Sequence, residues 1–70
     1  MSQPNDTGYI IEYYAIGNAV KVTAIDPETG IEATTIAPSY MGRPQMAQAA
    51  IHKLKYRIRK LSEQAGTDAN

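Results

Sequence analysis

The sequence predicts an α+β fold: a three-stranded antiparallel β-meander packed on one C-terminal helix (β-β-β-α). Three observations predict it. Two turn signals, Gly17-Asn18 and Asp26-Pro27-Glu28-Thr29-Gly30, divide residues 9–37 into three β-prone segments. The registers that these turns impose place apolar residues of all three segments on one side of the sheet. Beyond residue 43, apolar positions change from alternation to helical spacing.

Residues 1–8 are polar and contain Pro4, Asn5 and Asp6, so they are expected to form a disordered tail. The ordered domain is expected over residues 9–64. Its first strand spans about Tyr9 to Ile16, rich in Tyr and Ile. Gly17-Asn18 suits a type II′ hairpin, because Gly supplies the positive φ of the first turn position. The second strand runs from Ala19 to Ile25. In the next turn Pro27 fixes φ, Asp26 caps, and Gly30 permits a left-handed residue. The third strand runs from Ile31 to Ala37.

These turns fix the pairing. With Gly17 and Asn18 as the loop, Ala15 faces Val20, Tyr13 faces Val22 and Ile11 faces Ala24. With Pro27 to Gly30 as the second loop, Ala24 faces Ala33, Val22 faces Thr35 and Val20 faces Ala37. One side is thus apolar, while the other gathers Glu12, Lys21, Thr23, Glu32 and Thr34.

A helix is expected from Arg43-Pro44, where Pro suits the first turn, to about Gln64, stopping near Gly66. Ala47, Ala50, Ile51, Leu54, Ile58 and Leu61 form its apolar stripe, which takes the whole apolar sheet face. The helix is longer than the strands, so its last turns are expected to project past the sheet. Residues 65–70 are expected to be a second disordered tail.

Composition bounds the function. Seventy residues make one domain. With no Trp, Phe or Cys, the core must be thin and cannot be stapled by disulfides, which leaves self-association as the favoured support. Lack of Cys fits a reducing compartment. The N-terminus lacks the order of a signal peptide and no apolar run is long enough to span a membrane, so a cytoplasmic protein without membrane contact is expected. Net charge is zero, but five of the 7 Lys and Arg residues fall between Lys53 and Lys60.

No catalytic constellation emerges, and the chain is not expected to be an enzyme. Glu12, Asp26, Glu28 and Glu32 read as solvated carboxylates or cross-strand partners. His52 is the single His and lacks partners at metal-ligand spacing. Ser2, Ser39 and Ser62 have no nearby base. No Gly-rich phosphate loop is present, and no cofactor or metal is expected.

Two surfaces remain as binding candidates. Lys53, Tyr56, Arg57, Arg59 and Lys60 form a basic helical face that suits nucleic-acid phosphates or another anionic partner. The same cations also suit a solvated helix C-terminus. On the mixed sheet face, Ile10, Tyr14, Ile16, Ile25 and Ile36 suit a homodimer or another protein partner.

The run from Gly17 through Val20-Lys21-Val22-Thr23-Ala24-Ile25-Asp26-Pro27 to Gly30, with Ala50, Lys53-Leu54, Tyr56 and Arg59, resembles a family of short bacterial proteins of unknown function. The resemblance covers about residues 9 to 61 and implies no activity. Some members carry the name serine hydroxymethyltransferase, but a chain this short cannot house that pyridoxal-phosphate enzyme. Ala47, Ala50 and Leu54 are also similar to the final helix of double-stranded-RNA-binding domains. Arg43-Pro44-Gln45 stands where those domains carry lysines that meet phosphates.

Overall fold

The computed structural model describes residues 2–4 and 8–68, with side chains over 8–64. Four strands, β1 (Ser2–Pro4), β2 (Ile10–Ile16), β3 (Ala19–Ile25) and β4 (Glu32–Pro38), precede one helix, α1 (Arg43–Asp68). The strands form a single antiparallel sheet in chain order, β1-β2-β3-β4. The expected meander is β2 to β4, and its registers are those that the turns impose. Ala15 pairs with Val20, Tyr13 with Val22 and Ile11 with Ala24, then Ala24 with Ala33, Val22 with Thr35 and Val20 with Ala37.

Turn chemistry fixes these registers. Gly17 has φ of 58° and, among the described residues, no non-glycine residue, Asn18 included, has a positive φ, as a type II′ turn at Gly17-Asn18 requires. At the second turn the Asp26 N–H donates to the Ile31 carbonyl (2.9 Å) and the Gly30 N–H to the Asp26 carbonyl (2.8 Å). The Asp26 Oδ1 accepts the Glu28 N–H at 2.9 Å, the Asx cap that the sequence suggests. Gly42 precedes the helix, and its carbonyl accepts the Met46 N–H (3.0 Å) as the first helical bond.

Both chain ends depart from expectation. Within the presumed tail of residues 1–8, Ser2–Pro4 adds a short strand to the outer edge of β2, pairing Ser2 with Glu12 and Pro4 with Ile10. A Ser-Gln-Pro segment carries no apolar alternation, so only the bare edge of β2 recruits it, through main-chain pairing that leaves no pattern in side chains. Residues 1 and 5–7 lie outside the described residues. At the other end α1 continues through Gly66 to Asp68, into the presumed tail of 65–70. A helical Gly costs about 1 kcal/mol relative to Ala, which weakens a helix without ending it. Residues 69–70 lie outside the described residues.

The helix packs on β3 and β4. Ile11, Val22, Ala24, Ala33, Ala37, Met46, Ala50 and Leu54 are buried, with Ile11, Leu54 and Val22 the largest of those fully enclosed. Met46, Ala50 and Leu54, each four residues apart, are therefore the centre line of the buried stripe. The helix does not cover the whole inner face: Ala15 is exposed, and Tyr13 and Val20 are only half-buried. The helix lies chiefly over β3 and β4, which leaves part of the β2 side of that face open. At 26 residues α1 is about 39 Å long against about 24 Å for seven-residue strands, so it overhangs the sheet. Leu61, assigned to the stripe by periodicity, is accordingly 40% exposed.

Candidate functional site

The outer sheet face is organised in four cross-strand rows. Ile16, Ala19 and Pro38 form the first, and Tyr14, Lys21 and Ile36 the second. Glu12, Thr23 and Thr34 form a polar third row, in which the Thr23 and Thr34 hydroxyls are hydrogen-bonded at 3.1 Å. Ile10, Ile25 and Glu32 form the last. The five residues named as one self-association face therefore divide. Tyr14, Ile16 and Ile36 are 67%, 50% and 62% exposed and share one end of the face. Ile10 and Ile25 pair with each other at the opposite end, half-buried, beyond the polar row.

The basic run of the helix also divides. Lys53, Arg57 and Lys60, at helical spacings of four and three, stand on the flank beside β4. With Tyr56, Leu61 and Gln64 they form one wall of a groove of about 580 Å³, whose other wall is Glu32 to Thr34 of β4. The Lys53 Nζ reaches across it and donates to the Thr34 main-chain carbonyl. Arg59 does not line this groove. Its guanidinium lies 5.3 Å from the Tyr56 ring centroid and 3.8 Å from the Glu63 carboxylate. The Lys60 ammonium also lies 5.8 Å from the Tyr56 centroid and 3.7 Å from Glu63. These ion pairs are exposed and so contribute little to stability.

β4 is the last strand of the sheet, which gives the groove its second character. The Ser39 N–H donates to the Asn18 carbonyl (3.0 Å), making Ala19–Pro38 a non-hydrogen-bonded pair. By strict alternation, Glu32, Thr34 and Ile36 then direct their main-chain N–H and C=O groups away from β3, towards the open edge. The sequence shows the basic residues and, through the meander, a terminal third strand, but not the groove, which exists only where the helix flank and that strand run side by side.

Other candidate groups are set apart from one another. Asp26 is occupied in its turn, and Glu12, Glu28 and Glu32 are exposed. His52 is exposed beside Gln48, Ile51 and Lys55. Among the described residues, no three His, Cys, Asp or Glu side chains gather as a metal site would need, and no polar side chain is buried. No helix among them is long and apolar enough to cross a membrane.

Neither the curated proteins nor the solved structures gave a significant match to the chain. A family defined as a domain of unknown function, DUF6898, matches residues 6–61. That span takes in the meander, both turns and the helix as far as Leu61. The match covers most of the chain, and the protein is a member of the DUF6898 family.

Proposed function

We propose that the protein is a non-enzymatic binding module that self-associates through the outer face of its sheet. The observation that carries this reading is the cluster of Tyr14, Ile16 and Ile36, each at least half exposed and gathered at one end of the face with Ala19 and Pro38. Single exposed apolar side chains are ordinary, whereas a contiguous group on so small a sheet is the composition of an interface.

Two further features support it. The core holds no aromatic side chain among its fully buried members, so a second copy would add apolar burial that this fold lacks. Lys21 lies within the cluster and Glu12 one row away, and an isologous contact can set each against its opposite in the partner. The basic helix gives a weaker case for nucleic acid: Tyr56, the one aromatic side chain there, already has Arg59 and Lys60 at its ring.

Sedimentation across a concentration series tests the proposal. The wild-type chain should sediment as a dimer that dissociates on dilution. The double variant Tyr14→Ser/Ile36→Ser should be monomeric at the same concentrations with unchanged far-ultraviolet dichroism. A wild-type chain that remains monomeric at about 1 mM would sink the idea.

A further inference from the structure

We infer that the groove between the helix flank and the open edge of β4 takes an extended acidic peptide segment, which adds to the sheet as a strand. This surface is separate from the outer sheet face. Three features of the groove specify the occupant. One wall offers outward-directed main-chain donors and acceptors at Glu32 and Thr34, the groups that an added strand pairs with. The opposite wall carries Lys53, Arg57 and Lys60 against the single groove carboxylate of Glu32. The floor is closed by Ala33, whose small side chain leaves the space open.

Lys53 links the two walls. Its ammonium occupies the Thr34 carbonyl, an acceptor that the sheet itself leaves without a partner. Lysine at a sheet edge is a common block against unwanted strand pairing. An incoming peptide N–H would replace that contact at the carbonyl, and the released ammonium would meet a carboxylate of the same peptide. Neutral strands would have to displace Lys53 without that compensation, so the edge discriminates by charge.

Charge also argues against the other occupants. A second copy paired edge to edge through β4 would bring two Lys53-Arg57-Lys60 rows together, and like charges disfavour that arrangement. A nucleic-acid strand satisfies the cations but offers nothing to the directed main-chain groups of β4. Tyr56, with Arg59 and Lys60 already at its ring, is poorly placed to stack a base.

The test uses the full chain, isotopically labelled, and a fluorescent eight-residue peptide of alternating Glu and Val. Controls are the same peptide N-methylated at alternate residues, a Lys-Val counterpart, and a single-stranded DNA of equal charge. The Glu-Val peptide should bind at low salt and shift the Thr34 amide resonance while leaving that of Gly17 in place. N-methylation on the pairing edge should weaken binding at least about tenfold, and so should Arg57→Glu/Lys60→Glu. Both substituted side chains are exposed, and dichroism checks that the variant is folded. No binding at about 1 mM peptide overturns the inference. Equal binding of the N-methylated peptide also overturns it, since charge alone would then suffice. Tighter binding by the DNA at the same amides would reassign the groove to nucleic acid. A Thr34 shift that grows with protein concentration in the absence of peptide would reassign it to a second copy.

Discussion

The Arg43 guanidinium lies 4.8 Å from the centroid of the Tyr13 ring, and the Tyr13 hydroxyl points back to the Arg43 carbonyl at 3.5 Å. The first turn of the helix is thereby tied to β2, the meander strand that the helix otherwise leaves least covered. Arg43→Ala should destabilise the fold by about 0.5–1 kcal/mol, the range of a partly exposed cation–π contact. In a domain of this size that lowers Tm by about 2–8 °C. Arg43→Lys should recover part of the loss, which thermal unfolding followed by dichroism would resolve.

Gly17 holds φ of 58° at the first hairpin, and a Cβ built there meets nothing within 4 Å. Any cost of Gly17→Ala is therefore conformational rather than steric crowding by neighbours. The variant should be about 1–2 kcal/mol less stable in urea denaturation. An unchanged denaturation midpoint would show that the turn relaxes to another type.

Leu54 is fully buried at the centre of the helix stripe, whereas Leu61, two turns on, is 40% exposed. Leu54→Ala should cost about 2–5 kcal/mol. That is a large share of the roughly 4–10 kcal/mol available to a domain of this length. Leu61→Ala should cost less than about 1 kcal/mol, because much of its surface already meets water. Equal losses at the two positions would mean that the overhang is covered in solution.

Gly42 precedes the helix without a capping side chain, and no acidic residue occupies the first turn. Its φ is not positive, and a Cβ there would meet only the Pro44 Cδ, at 3.8 Å. Gly42→Asp should stabilise the fold by a few tenths to about 1 kcal/mol, by capping free N–H groups and opposing the helix dipole. The gain in Tm should shrink at high salt as the dipole contribution is screened.

The meander was legible because its information is local and redundant. Gly17-Asn18 and Asp26 to Gly30 each specify a register, and both registers put Ile11, Val22, Ala24 and Ala33 on one side. The strand at Ser2–Pro4 was not legible, because main-chain pairing to an edge requires no particular side chains. Leu61 misled for a related reason: periodicity gives the direction of a side chain but not whether a sheet lies beneath it. The candidate surfaces were legible as residues and not as places. Ile10 and Ile25 share the outer face with Tyr14 yet lie across a polar row from it, and Arg59 shares the basic run with Arg57 yet leaves the groove to pair with Glu63.

Strand order that repeats chain order has a consequence for how the protein reaches its native state. Each strand in the sheet pairs only with its neighbours in sequence, so no pairing waits for the closure of a long loop. The hairpin at Gly17-Asn18 can zip first, β4 can add through the next turn, and the helix can then dock on strands already in register. Pairing of neighbours in sequence places a mixed α/β domain between helical bundles and β-sandwiches in folding rate, ahead of folds whose strands must meet from distant parts of the chain. A molecule with few large side chains to drive collapse can therefore still find its structure quickly, guided by its turns.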